Sequence, residues 1–168
     1  LKIAFMDRDG TIVKGYPDEK WKDIKEPEII DGALETMSKI LENGYEIIII
    51  TNQYIIGEPE YGYSLEDYNE YTKKLMDMFK EKGIEIRDIY YCPHGRHENC
   101  NCIKPKPGMI QKALEDYPET ELEKSFLIGD SKGDMELASH FGLKSFGIGV
   151  DFEGAVKLSG IRDVVKHI

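Results

Sequence analysis

Five short apolar segments recur along this chain: Ile3 to Met6, Tyr45 to Ile50, Ile86 to Tyr91, Phe126 to Ile128 and Phe146 to Val150. Each is rich in β-branched or aromatic residues, and none alternates strictly with polar ones. That is the pattern of strands covered on both faces. Between them the apolar residues switch to helical spacing. Residues 33–42 place Leu34, Met37 and Leu41 together, with Gly44 as a stop. Residues 65–82 follow Ser64, a capping residue with Asp67 three places on, and gather Tyr68, Tyr71, Leu75 and Phe79 on one face. Residues 107–116 open with Pro107, and residues 132–141 carry Met135, Ala138 and Phe141 ahead of Gly142. Alternating strands and helices predict an α/β chain, a parallel sheet with helices on both faces. Such sheets bind ligands beyond the carboxyl ends of their strands. The 168 residues are expected to form one domain. Two irregular stretches, 14–30 and 54–63, follow strand ends and are expected to overhang that edge.

Charge and hydropathy exclude some functions. Lys plus Arg number 22 against 32 Asp plus Glu, a net charge of −10. A chain this acidic repels polyanions, so nucleic acid is not an expected partner. The apolar run Ile47 to Ile50 is much too short to cross a bilayer. Nothing reads as a signal peptide, and a cytoplasmic location is expected. Oligomeric state is not readable from the residues; a monomer is the default expectation.

The first strand runs into Asp7-Arg8-Asp9-Gly10-Thr11. Residues two apart on a strand point the same way, so Asp7 and Asp9 are both expected to face the crevice. The fourth strand ends in Gly129-Asp130, with Asp134 beyond. Should the two strands be neighbours, up to four carboxylates converge, and their repulsion calls for a cation. Oxygen-only ligands favour a hard ion, magnesium above all. Singly, Asp-Gly is a turn and Gly-Asp a helix cap; both at two strand ends is a site. The second strand ends in Thr51-Asn52, donors suited to a phosphoryl oxygen, and Lys104 offers a point charge for phosphate.

These four segments, in this order, resemble the motifs of the haloacid dehalogenase superfamily of phosphatases over roughly residues 3–150. The resemblance implies a Rossmann-like three-layer fold with strand order 5-4-1-2-3. It implies Asp7 as nucleophile and Asp9 as general acid and base. Thr51, Asn52 and Lys104 would grip the phosphate, and magnesium would lie on Asp7, the Asp9 backbone carbonyl, Asp130 and Asp134.

All three cysteines and one histidine share a short window, Cys92-Pro93-His94 and Cys100-Asn101-Cys102. Four N/S ligands match a closed, structural zinc site. A disulfide is disfavoured in the cytosol. His97 is a substitute ligand in reserve. A zinc loop running into Lys104-Pro105 resembles the histidinol-phosphate and D-glycero-D-manno-heptose 1,7-bisphosphate phosphatases, relatives without a large cap domain. A small phosphorylated metabolite is the implied substrate, a sugar phosphate such as the heptose bisphosphate ahead of histidinol phosphate. Gly15-Tyr16 and Lys104 to Met109 favour the first, and the short Cys92–Cys100 spacing the second. Two positions depart from both relatives. Ile103 stands where they carry arginine, with Lys106 as a possible compensation, and Ile55 stands where they carry glycine. Trp21 and nearby tyrosines are expected as an apolar rim.

Overall fold

The computed structural model describes all 168 residues. Six parallel strands form one sheet: β1 (Ile3–Met6), β2 (Glu46–Asn52), β3 (Ile86–Cys92), β4 (Phe126–Gly129), β5 (Lys144–Ile148) and β6 (Val156–Leu158). Their spatial order is β3-β2-β1-β4-β5-β6. The expected five-strand order is present, extended by a sixth strand at the β5 edge. Three residues of Val156–Leu158 are too few to show a period. The fifth strand also begins two residues earlier than expected, at Lys144. Gly149, with φ of 67°, turns the chain out of the sheet after Ile148.

Four helices cover the sheet: α1 (Ala33–Glu42), α2 (Leu65–Glu81), α3 (Gly108–Asp116) and α4 (Lys132–His140). Strand alternation divides the core between the faces. Ala4, Met6, Ile47, Ile49 and Ile128 pack with Met37 and Ile40 of α1 and Leu75 and Phe79 of α2. Ile3, Phe5, Ile48, Ile50 and Leu127 pack with Ile110 of α3 and Leu137 of α4. The start of α2 is set by a capping box: the Asp67 amide donates to Ser64 Oγ at 3.1 Å, and the Ser64 amide donates back to Asp67 Oδ2 at 2.9 Å. The stretches after β1 and β2 contain short 3-10 turns, Asp18–Asp23, Tyr54–Gly57 and Pro59–Tyr61, and isolated bridges from Val13 to Asp9 and Ile29, in place of a cap domain. No helix is long and apolar enough to cross a membrane.

Strands β1 and β4 pair directly, with Met6 opposite Ile128, and the Asp7 amide continues the ladder to the Ile128 carbonyl at 3.0 Å. The two acidic strand ends are therefore side by side.

Candidate active site

A cavity of about 330 Å³ opens at the carboxyl edge of the sheet and holds Asp7, Asp9, Thr51, Asn52, Lys104, Asp130 and Asp134 in its wall. Carboxylate oxygens of Asp7, Asp130 and Asp134 lie within 4.8 Å of one another. Gly10 lets Asp130 come close: its φ is 87°, and a Cβ there would collide with the Asp130 carboxylate. Asp134 is also the third-position partner of Ser131 in the capping box that starts α4. Its Oδ2 accepts from the Ser131 hydroxyl at 2.9 Å and the Asp130 amide at 3.2 Å. The cap and the acidic cluster are one structure here.

Lys104 is the cation among these acids. Its Nζ lies 2.7 Å from Asp7 Oδ1, 2.8 Å from Asp134 Oδ1 and 3.0 Å from the Ile50 carbonyl. Burial opposes its charge, but Asp134 and Asp7 outweigh burial and raise its pKa above the ordinary lysine value. Asp7 is raised well above the usual carboxylate range, first by burial and then by Asp134, with Lys104 working against both. Asp130 is raised by burial as well, the Asp134 charge adding to it. One lysine does not offset three close carboxylates. This oxygen-only donor set, short of positive charge, fits a hard divalent cation.

Asp9 also lines the cavity, as expected, but its carboxylate stands apart from the tight cluster of Asp7, Asp130 and Asp134. It lies in the turn beyond the last residue of β1. Its Oδ1 accepts from Arg8 Nε at 2.7 Å, and its Oδ2 accepts from Arg8 Nη2 at 3.2 Å and Gln53 Nε2 at 3.1 Å. Arg8 and Gln53 are site residues that the sequence reading missed. Arg8 is only 2% exposed, with its guanidinium over the Tyr71 ring at 4.7 Å. The available signal was an arginine wedged between two aspartates at the end of an apolar strand.

Thr51 is buried at the tip of β2, its Oγ1 accepting from Gln53 Nε2 at 2.9 Å. The Asn52 side chain is spent on the Lys104 backbone: its Oδ1 accepts from the Lys104 amide at 2.8 Å, and its Nδ2 donates to the Lys104 carbonyl at 3.4 Å. Asn52 thus clamps the loop that delivers Lys104. Trp21 lines the cavity with Tyr16 and Tyr54, as expected of an apolar rim, and Ile55 lines it too. Ile103 packs into the core beneath α3 and α4, outside the cavity wall. Lys106 does not compensate for it. Its ammonium donates to the Cys100 carbonyl at 2.7 Å, inside the cysteine loop.

Cys92, His94, Cys100 and Cys102 also place their donor atoms within 4.8 Å of one another. Cys92 Sγ lies 3.5 Å from His94 Nδ1 and 3.6 Å from Cys100 Sγ, and His94 Nδ1 lies 3.1 Å from Cys102 Sγ. These are close to the edges of about 3.3–3.8 Å that zinc bond lengths give a tetrahedron. Cys92 and Cys102 stand nearer, at 2.6 Å. Burial pushes the Cys92 thiol up; in Cys100 the backbone amides of Cys102 and Ile103 overcome burial and pull it down to about 6. The cluster could hold zinc. His97 is exposed and outside it.

The loop reaches further than Lys104. Between its cysteines, Arg96 donates to Glu58 from its amide at 2.9 Å, from Nε at 3.0 Å and from Nη2 at 2.8 Å. Its guanidinium stacks on Tyr54 at 4.2 Å, and the Tyr54 hydroxyl donates to Asp18 at 2.9 Å. The loops after β1, β2 and β3 are stitched into one rim.

A family model described as polynucleotide kinase 3 phosphatase matches residues 2–152. The chain belongs to that family. Its motifs and fold are those of the haloacid dehalogenase phosphatases, in the group containing the heptose-bisphosphate and histidinol-phosphate enzymes. The D-glycero-beta-D-manno-heptose-1,7-bisphosphate 7-phosphatase of Helicobacter pylori is 39% identical over 137 residues, covering 80% of this chain and 75% of that protein. The histidine biosynthesis bifunctional protein HisB of Campylobacter jejuni subsp. jejuni is 38% identical over 152 residues, 88% of this chain. The chain spans 42% of that relative's length. Among solved structures, the D,D-heptose 1,7-bisphosphate phosphatase from B. bronchiseptica, complexed with magnesium and phosphate, superposes with a TM-score of 0.85 at 20% identity. The match covers 99% of this chain and 97% of that one, a likeness of fold.

Proposed function

We propose that this chain is a magnesium-dependent phosphomonoester hydrolase acting through an aspartyl-phosphate on a small phosphorylated metabolite, a sugar phosphate first. The observation that carries the reading is the meeting of Asp7 and Asp130 at the paired tips of β1 and β4, with Lys104 Nζ 2.7 Å from Asp7. In this reading an Asp7 oxygen attacks phosphorus, the P–O bond to the alcohol breaks, and an acyl phosphate forms. Asp9 gives the departing alkoxide its proton, then takes one from the water that hydrolyses the acyl phosphate. Arg8 and Gln53 aim it. Thr51 and Lys104 hold the transferring phosphoryl oxygens, and Asn52 acts through its clamp on Lys104.

Asp7, the Asp9 backbone carbonyl and Asp130 would hold magnesium, with Asp134 in support. When bound, the ion offsets the charge shared by nucleophile and phosphate. Cys92, His94, Cys100 and Cys102 would hold a structural zinc that orders the Lys104 loop and the rim. Residues 1–168 act as one domain in this account. The three free thiols, needed reduced as ligands, support a cytoplasmic setting.

The names of the heptose relatives support a sugar phosphate. HisB supports a second reading, histidinol phosphate, over the part of its length that matches. The family description mentions a polynucleotide. Against that, the net charge is −10 and five carboxylates face the cavity beside one lysine, a poor cradle for a polyanion. The test is phosphate release from a panel of sugar phosphates, histidinol phosphate, a 3'-phosphorylated oligonucleotide and an aryl phosphate, with and without magnesium. Release from a sugar phosphate is expected. Absence of magnesium-dependent release from every phosphomonoester would remove the reading.

A further inference from the structure

Of the 16 residues that wall the cavity, one is basic, Lys104. Its charge is already placed between Asp7 and Asp134. Four of the five carboxylates there have a part in the chemistry proposed above. The fifth, Asp18, has none. It sits at the mouth, its side chain 27% exposed, on the loop after β1. The Tyr54 hydroxyl donates to both of its oxygens, at 2.9 and 3.0 Å, which fixes the carboxylate beside the cavity. Burial and the Asp18 charge push the Tyr54 phenol up to about 12, so it remains a donor. Arg96 forms a long ion pair with Asp18, at 3.7 Å, while two shorter guanidinium hydrogen bonds, with a third from its backbone amide, hold it to Glu58. Arg96 covers Tyr54 and is not part of the cavity wall.

We infer that Asp18 is a specificity-determining residue that selects phosphate monoesters whose alcohol portion carries no second phosphate. The inference rests on the phosphatase reading and deepens it. A substrate that puts its reacting phosphate on Lys104 directs the rest of the molecule to the mouth. There it meets a fixed carboxylate and the aromatic walls of Tyr16, Trp21 and Tyr54. Hydroxyl groups can donate to Asp18. A second phosphate brings two negative charges against it with no wall cation in compensation. The name of the H. pylori relative specifies a bisphosphate; the mouth of this chain is built for something less charged.

The test is competition against aryl phosphate hydrolysis, in magnesium, by α-D-glucose 1-phosphate and α-D-glucose 1,6-bisphosphate. The same pair is also ranked by ligand-induced shift in melting temperature, a readout that needs no turnover. The monophosphate is expected to bind about 10-fold more tightly, and Asp18→Asn to narrow the ratio several-fold. Added salt is expected to narrow it too, since the discrimination is a charge repulsion at a partly exposed site. A bisphosphate binding as well as the monophosphate, neither ligand binding, or a ratio unmoved by Asp18→Asn would overturn the inference. Loss of a bisphosphate advantage in Arg96→Gln would assign the second phosphate to Arg96 instead. Failure of the underlying reading looks different: no magnesium-dependent aryl phosphate hydrolysis, whatever the binding ratio.

Discussion

Lys104 Nζ stands 2.7 Å from Asp7 Oδ1 although 97 residues separate them in the chain. The lysine reaches the end of β1 from the far side of β2, on a loop held by Asn52 and the cysteine cluster. Its removal leaves two carboxylates, each under 10% exposed, without their shared cation. For Lys104→Met, a loss of about 3–5 kcal/mol in stability is expected by denaturant unfolding without magnesium. Magnesium is expected to restore part of it. Turnover of aryl phosphate is expected to stay about 10²–10³-fold down with the ion present, since a positioned charge on the phosphoryl group is lost.

Arg8 holds Asp9 by two hydrogen bonds from one planar group. Lysine cannot reproduce that fork. Arg8→Lys is expected to lower kcat about 10²-fold, as loss of an aimed general acid does, with little change in KM. The loss is expected to be smaller for aryl phosphates with good leaving groups, which need no proton. An equal loss for good and poor leaving groups would count against Asp9 as the acid.

Zinc, if held by Cys92, His94, Cys100 and Cys102, ties together Lys104 and the rim. Metal analysis of the purified protein is expected to find one zinc per chain. Stripping it with a chelator is expected to lower the melting temperature and to reduce kcat, and zinc alone is expected to restore both. Restoration by magnesium without zinc would separate the cluster from the Lys104 loop.

Glu58 gives the rim a pH dependence. Arg96 hydrogen bonds hold its carboxyl below the ordinary value of 4.5 against a smaller opposing effect of burial. A carboxyl depressed in the folded state stabilises above its unfolded pKa, and that contribution is lost as pH falls through the folded value. Protease cleavage or hydrogen exchange in residues 54–61 is expected to speed up below pH 4.5. In Arg96→Gln this segment is expected to be already loose at neutral pH, so its acid step flattens.

Strand and helix positions were legible because each element carries one dominant period. The run Ile3 to Met6 is bounded by charge, and α2 shows four aromatic or aliphatic residues on one face behind a capping pair. The edge strand β6 was not legible, since three residues cannot display a period. The acidic site was legible as a set of strand ends, because a parallel sheet brings those ends to one edge. Asp9 was legible as a cavity residue, but its partners Arg8 and Gln53 were not, because they meet it after the strand has ended. The rim was illegible for the same kind of reason. Arg96, Glu58, Tyr54 and Asp18 belong to three loops, and no local pattern records that they meet.

The central claim is that Asp7 receives the phosphoryl group. Its most direct test is mass spectrometry of the protein quenched in acid during turnover of an aryl phosphate with magnesium. One added phosphoryl group is predicted on the peptide that contains Asp7, absent in Asp7→Asn. Steady turnover with an unmodified Asp7, or with the phosphoryl group on another side chain, would contradict the account.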